Sequence, residues 1–474
     1  MGEDRGVDRQ EAAALAGELS TRLQSQGVRA VALTWVDNAG VTRVKTVPAA
    51  RLRQAAEVGV GMSPVFDVFL VDDSTTTSRH IGGPVGDLRL FPDLDRLTVL
   101  AAQPGWAWAP ADRLTQQGQP YPACQRTFAR SMAEQAAGAG LQARMAFEVE
   151  WFAGEDEGDG LTPGCRGPAY GMSRVIELSA YARDLLVALA EQEVPVEQFH
   201  PEYAPGQLEL SVAAADPVTA ADRLVLVRQT IRAVSRQHGL RVSFAPVVLA
   251  GIVGNGCHLH LSLWSEGNNL LAGNAGNAGN AGNAENAGNA GSGPHGLTRR
   301  GESALAGLLE HLPALCAIGA PSVASYLRLV PQRWAAPWLC WGLENREAAL
   351  RLVTGGAGTA DSAANAELKC VDGSANPYLL AGAVTAVASS TVDGGLRLPA
   401  EVTADPATLP EAEQPPRLPL TLTEATDRLE TDAVLRKALG EPLIEAIVAV
   451  RRAEVQLFDG RPAEEIVAAT RWTH

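Results

Sequence analysis

Several short stretches of the chain place acids and histidines at the two-residue spacing of a β-strand. In Phe147-Glu148-Val149-Glu150-Trp151-Phe152, apolar residues alternate with Glu148 and Glu150. Alternation puts both carboxylates on one face, roughly 6–7 Å apart, a spacing that suits two cations held one each. A solvated polar face would read the same way from this stretch alone, but the pattern recurs. His200-Pro201-Glu202-Tyr203 and Gln207-Leu208-Glu209-Leu210 flank a Pro-Gly turn and add two more acids. In Cys257-His258-Leu259-His260-Leu261-Ser262-Leu263, His258, His260 and Ser262 share the face opposite three leucines. Arg346 and Arg351 supply guanidinium groups, and Glu367 and Lys369 again share a strand face. Five Glu with one or two His suit hard divalent cations, and the lack of Cys among them argues against structural zinc. Arginines beside such metals are what phosphoryl transfer requires, because charge develops on the phosphate oxygens.

These residues must be held by some scaffold. Leu15, Leu19 and Leu23 predict a helix over 11–26. Val31, Leu33 and Trp35 alternate before Asp37-Asn38-Ala39-Gly40, a hairpin turn. Further strands are expected at 88–94 and from Leu97, closing a small β-rich unit near Pro110. Pro120 and Pro122 then open a helix running to Ala137. Strands ARMAFEVEWF, GQLELSV, RVSFAPVV and CHLHLSLW follow, separated by helices such as 217–238, without a βαβ rhythm. The expected class is α+β, an antiparallel sheet backed by helices. No GxGxxG or GxxxxGK[ST] motif follows a strand, so dinucleotide and P-loop readings lack support. The Gly-Asn-Ala repeats of 273–293 have almost nothing to bury and read as a flexible surface insertion. The stretch 373–392, with Asn376 and Pro377 at a polar start, reads as a buried helix and not a membrane span. The segment 423–458 is helical, broken at Gly440-Glu441-Pro442.

Length and charge bound the rest. The 474 residues allow a large core, and 46% hydrophobic with 20% charged residues is ordinary globular composition. The formal net charge of −15 argues against a general polyanion binder, so no nucleic-acid partner is expected. The opening MGEDRGVDRQ lacks an apolar segment, so no secretory signal or membrane partner is expected and the cytoplasm is the expected compartment. Six cysteines without CxxC spacing read as buried reduced thiols.

As a set and in order, AFEVEWF, EYAPGQLEL, GNGCHLHLSLW, SYLRLVP, ENREAALR and AELKCVDGSANPYL resemble the glutamine synthetase superfamily over nearly the whole length. The resemblance implies a flexible N-terminus at 1–10, a β-grasp-like domain over 11–112 and a catalytic domain over 113–474 with a curved antiparallel sheet. It also implies a homo-oligomer, a dodecamer of two stacked hexameric rings with sites between adjacent subunits. Carried over residue by residue, Glu150, Glu202 and Glu209 would hold one Mg²⁺ or Mn²⁺, and Glu148, His258 and Glu367 the second. His260 and Ser262 would face ATP, together with Arg351. Gly254, Arg328, Arg346 and Lys369 would position glutamate, with Arg346 and Arg351 stabilising the transferring phosphoryl group and Arg328 beside them. ATP would phosphorylate the γ-carboxylate of glutamate, and an amine would then displace phosphate to give a γ-amide.

The departures bear on which amine attacks. Glutamine synthetases close the glutamate site with a VPGYEAP flap whose glutamate serves ammonium; here 330–337 reads VPQRWAAP, with no acid. The family's FDGSS element is replaced by MSPVFDVF at 62–69. Ammonium is a small cation that must shed water and a proton, which carboxylates assist. Losing both acids, with Trp334 nearby, points to a pocket for a small organic amine. Lys369 stands where arginine is usual, keeping charge without the fork. Ethanolamine is placed ahead of putrescine, because no further acid for a second ammonium can be assigned, although Asp67, Asp72 and Asp73 are available. Ordinary glutamine synthetase, a γ-glutamylpolyamine synthetase and a non-catalytic relative stay as alternatives; the last usually lacks metal ligands that are all present here.

Overall fold

The computed structural model describes residues 9–156, 161–252, 254–272, 293–356 and 358–474. Most of the Gly-Asn-Ala insertion, 273–292, and residues 1–8 lie outside the described residues. Arg9 and Gln10, expected in a flexible leader, instead begin the first helix, Arg9–Ser25.

Two sheets organise the chain. The first comprises β1 (Ala30–Val36), β2 (Thr42–Pro48), β3 (Val60–Met62), β4 (Leu88–Pro92), β5 (Thr98–Val99) and β6 (Trp106–Thr115). Its order is β2-β1-β6-β4-β3, with β5 against β6; β1 and β6 are parallel and the other pairs antiparallel. Leu19 and Leu23 of the first helix pack on Leu33, Leu52 and Leu90. β6 runs on to Thr115, so the expected division between residues 112 and 113 falls inside a strand.

The second sheet comprises β7 (Gln142–Asp156), β8 (Leu161–Pro163), β9 (Val196–Pro201), β10 (Gln207–Val212), β11 (Arg241–Ser243), β12 (Cys257–Ser265), β13 (Asn268–Asn269), β14 (Trp338–Leu343), β15 (Ala348–Val353) and β16 (Asn365–Leu368). Its central order is β14-β15-β16-β12-β7-β10-β9. All central pairs are antiparallel except β14 with β15. Phe147, Val149 and Trp151 on β7 and Leu259, Leu261 and Leu263 on β12 turn into one core with Leu224, Val227 and Ile231 of helix Pro217–Gln237. The alternation therefore does what a one-sided sheet demands: its apolar face meets helices and its polar face is left for chemistry. The fold is α+β, as expected.

Two local expectations change. RVSFAPVV forms a strand only over Arg241–Ser243. Beyond it Phe244 N turns to His474 O at 3.0 Å and Ala245 N to Ser243 Oγ at 3.2 Å, and Pro246 O accepts from Asn255 N at 3.1 Å, bringing Gly254-Asn255 alongside. The C-terminal helical segment divides first at Asp432, whose side chain accepts from Leu435 N and starts Ala433–Leu457. Gly440 then breaks that helix, with φ 72°. All six cysteines are buried free thiols. Among the described residues, no helix is long and apolar enough to cross a membrane.

The two sheets are locked together at the first hairpin. Gly40 has φ +79°, and a Cβ there would lie 1.9 Å from Ser374 O, so only glycine fits. Asn376 accepts from Tyr378 N and Leu379 N, capping the buried helix Pro377–Thr391. Its amide donates to Val36 O and Asp37 O at 3.0 Å each. Arg451 donates to Asn38 O at 2.8 Å and to Ala317 O at 2.9 Å.

Glu454 is buried beside this joint, and burial with the nearby Asp37 and Asp72 raises its carboxyl to about 8, against the pull of Arg451. The folded state therefore holds a proton that the unfolded chain releases near 4.5. That contribution to stability is fully present below 4.5 and lost as pH rises through 8. At about 1.4 kcal/mol per pKa unit, the gap is of the order of a few kcal/mol. Glu454→Gln should consequently melt higher than the parent at pH 8.5, with a smaller difference at pH 5. Thermal melts at the two pH values check this; a constant difference would contradict it.

Candidate active site

Strand register brings the sequence-predicted residues into rows across six strands. Arg351 on β15 pairs with Glu367 on β16, and Glu367 with His260 on β12. His258 on β12 pairs with Glu148 on β7. Glu150 on β7 pairs with Glu209 on β10, which pairs with His200 on β9. Partners in register share a face of the sheet, so the rows form a single polar surface.

That surface floors a cavity of about 940 Å³. Glu148, Glu150, Glu202, Glu209, Gly254, His258, Arg328, Trp334, Arg346, Arg351 and Lys369 line it. Glu367 lies just beneath, in contact with His258, Arg351 and Lys369. Neither His260 nor Ser262, expected at ATP, is among the lining residues. His260 instead meets Asn365 Oδ1 at 2.9 Å and stands 3.7 Å from Glu148. Ser262 accepts from Trp264 Nε1 at 2.9 Å. Each further pair of residues along a strand lies roughly 6–7 Å on, so His260 and Ser262 follow His258 along the same face of β12.

The two wings of the floor differ in charge. In one, Glu202, Glu209 and His200 offer ligand atoms that all lie within 4.8 Å of one another. Burial and the neighbouring Glu209 and Glu202 raise Glu150 to about 8. Burial raises Glu209 to about 7, with Glu148 and Glu202 adding to it and His200 opposing. The hydrogen bond to Glu209 lifts His200 to about 9. Carboxylates so crowded need either protons or a cation, and a divalent ion fits this oxygen-rich set.

The other wing neutralises itself. Arg351 Nη1 donates to Glu367 Oε2 at 2.9 Å, and Lys369 Nζ to Glu367 Oε1 at 3.0 Å. Burial would raise Glu367, but Lys369, His258 and His260 outweigh it and hold it at about 2. Burial, aided by Lys369, lowers His258 to about 4, leaving a neutral imidazole able to ligate a metal. His258 Nδ1 lies 2.8 Å from Glu148 and 3.3 Å from Glu367. Glu148, His260 and Glu367 form a second group of ligand atoms within 4.8 Å. His258 and His260 thus both adjoin this pair of acids, whereas the sequence singled out His258.

Above the floor, Arg328 is buried and donates through Nη2 to Lys369 O at 3.2 Å, with His258 Nε2 at 3.3 Å. Its Nη1 has no hydrogen-bond partner, nor has Nε of Arg351. Both residues also line the cavity, where guanidinium groups suit an anionic guest such as a carboxylate or phosphate. Gly256 stands at the crossing: a Cβ there would lie 2.4 Å from His258 Nε2, 2.9 Å from Arg328 Nη2 and 2.9 Å from Glu150 Oε1.

Several groups in or beside the cavity were given no role from the sequence. His200 sits within the EYAPGQLEL neighbourhood, but its partner Glu209 lies across a hairpin. Gln207 donates to Glu150 Oε2 at 2.7 Å, and Tyr170 to Glu202 Oε2 at 2.8 Å, each aiming an acid. Tyr203 and Trp334 pair edge to face at the mouth, ring centroids 6.1 Å apart. No local pattern marks Tyr170, which comes from the segment before β9.

Comparison with known proteins agrees with this geometry. Residues 122–468 match the family model described as glutamine synthetase, catalytic domain. The chain is 54% identical over 472 residues to gamma-glutamylpolyamine synthetase GlnA3 of Streptomyces coelicolor, covering 98% of this chain and 97% of the relative. It is 28% identical over 443 residues to a glutamine synthetase of Clostridium saccharobutylicum, covering 91% and 93% of the two chains. Among solved structures, one described as a novel glutamine synthase homolog superposes with TM-score 0.81 at 33% identity, covering 94% of this chain and 99% of that one. A GmaS/ADP complex superposes with TM-score 0.80 at 26% identity, covering 96% and 99%. Family model, full-length relatives and fold coincide, and the chain belongs to the glutamine synthetase family, a family of ligases.

Proposed function

We propose that the protein is an ATP-dependent glutamate–amine ligase whose amine is organic, with a polyamine now placed ahead of ethanolamine. The carrying observation is one cavity that joins an acidic wing, a charge-balanced wing and the guanidinium groups of Arg328, Arg346 and Arg351, with no acid in its 330–337 wall. The polyamine ranking draws on the 54% identical relative and on the exposed pair of Tyr203 and Trp334 at the mouth. Aromatic faces there would attract an alkylammonium group.

Two Mg²⁺ or Mn²⁺ ions would be held by Glu150, Glu202 and Glu209 with His200, and by Glu148, His258 and Glu367 with His260 adjoining. When bound, such ions neutralise phosphate charge as Lewis acids. The chain's own groups do the rest. Arg328, in the cavity lining, takes the substrate carboxylate. Arg346 and Arg351 face the phosphoryl group as the γ-carboxylate of glutamate attacks the terminal phosphorus of ATP and ADP leaves. Lys369 holds Glu367 in place. The amine then attacks the γ-glutamyl phosphate, loses a proton and expels phosphate. Tyr203 and Trp334 hold the amine at the mouth during that step.

The reading includes a homo-oligomer of two stacked hexameric rings, a dodecamer, acting in the cytoplasm. Asp67 cannot serve a neighbour's cavity, because it is fully buried in an ion pair with Arg113 at 2.7 Å. Asp72 and Asp73 are the exposed acids left for that purpose.

The test is phosphate release with glutamate, ATP and Mg²⁺ across ammonium, methylamine, ethanolamine, putrescine and spermidine, with product masses. A γ-glutamyl derivative of putrescine or spermidine, exceeding glutamine at equal amine concentration by tenfold or more, is expected. Ethanolamide as the main product would restore the first ranking, and glutamine as the main product would overturn the organic-amine reading.

A further inference from the structure

The wall of the cavity at 330–337 has an unusual backbone. Gln332, Trp334 and Ala336 have φ of 60°, 53° and 53°, a region that residues with a Cβ rarely adopt. Three such residues in alternation persist only where surrounding structure fixes them. The structure supplies the fixings, most of them from outside the wall.

Glu347 is buried behind the wall. Its Oε1 accepts from Trp334 N at 2.7 Å, and its Oε2 is 3.4 Å from Gln332 N. Glu347 is itself fixed, because its N–H donates to Asn345 Oδ1 at 3.0 Å. Asn345 in turn donates to Val402 O at 2.8 Å and Ala404 O at 3.0 Å. Arg417 clasps both ends of the wall, donating to Leu329 O and to Pro337 O at 3.2 Å each, while its guanidinium lies 4.9 Å over the Trp338 ring. At the tip, Arg333 donates to Gly251 O at 2.9 Å. The sequence neighbour of Glu347, Arg346, points the other way and lines the cavity.

We infer that Glu347 and Arg417 make 330–337 a fixed wall and not a moving flap, and that Glu347 is a positioning residue setting where Trp334 meets the amine. A carboxylate has thus been lost from the cavity side of this segment and a different one fastens it from behind. The inference about the amine rests on the ligase reading; the fastening itself does not.

Two readouts separate these. Arg333 is exposed and precedes Trp334, so trypsin can report the wall directly. Glu347→Gln keeps the size but loses one acceptor, and Arg417→Lys loses the two-ended clasp. Both variants should be cut after Arg333 at least tenfold faster than the parent, with cleavage elsewhere unchanged. In amide synthesis, Glu347→Gln should raise the amine KM about tenfold or more while the ATP KM stays within twofold. Cleavage at the parental rate in both variants would overturn the fixed wall. Faster cleavage with an unchanged amine KM would overturn the positioning role. Should the parent form no γ-glutamyl amide with any amine, the ligase reading fails, and the cleavage rates still decide the fastening.

Discussion

Glu150→Gln is expected to stabilise the metal-free protein and, at the same time, to abolish its activity. The buried Glu150 carboxyl is raised to about 8 by burial and by Glu209 and Glu202. Its folded pKa exceeds the unfolded value, so the charged form opposes folding as pH climbs toward 8. An amide removes that cost and its oxygen can still accept from Gln207 Nε2, now 2.7 Å from Glu150 Oε2. The melting temperature without Mg²⁺ should therefore rise at pH 8. The acidic wing would lose the charge that makes it a cation site, so phosphate release should fall by about 10³ or more, roughly 4 kcal/mol of barrier. The upward shift in melting temperature on adding Mg²⁺ should shrink with it. A gain in stability together with a loss of turnover is what a destabilised carboxylate in an active site should give, and the melts and the phosphate assay check the two halves separately. Parental turnover in Glu150→Gln would remove Glu150 from the cation site.

Arg328→Ala should act on the other side of the cavity. Arg328 is buried with Nη1 unpartnered, and it spans from His258 to the carbonyl of Lys369. A carboxylate paired to a buried guanidinium is worth more than one at a surface. The glutamate KM should rise about 10²-fold, near 2.7 kcal/mol, with the ATP KM changed far less. Arg328→Lys should recover only part of the loss, because a single ammonium lacks the fork. Initial rates against glutamate at saturating ATP measure this. Equal rises in both KM values would assign Arg328 to the nucleotide instead.

The alternation of Glu148 with Glu150, and of His258 with His260, was legible because a one-sided strand writes its two faces into the sequence. The order of strands was not. That Glu209 sits beside Glu150, and His200 beside Glu209, depends on pairing across β7, β10 and β9. No local period encodes such register. Ser262 was legible in the same way as a residue on the face of His258, while its bond from Trp264 Nε1 was not. Phe244 N, turned to His474 O, ends β11, and Asp432 starts a helix ahead of the break at Gly440. Both are single-residue effects inside otherwise regular patterns. Glu347 was hidden by adjacency, since the ENREAALR motif draws attention to Arg346, and only the folded turn shows the two side chains parting.

The joint at Asn376 bears on how this enzyme can be taken apart. The match to the family's catalytic model begins at residue 122, past the first hairpin, which invites treating the remainder as a portable module. The hairpin backbone at Val36, Asp37 and Asn38 nevertheless supplies acceptors for Asn376 and Arg451. Gln125 likewise reaches back to Asn38 and Asp67. Cutting at 122 would strand an amide and a guanidinium that are now shielded from water. The strand bearing Glu367 leads within nine residues to that same Asn376. The small sheet is therefore part of the scaffold of the catalytic floor, and fusions or chimeras of this chain should exchange the two together.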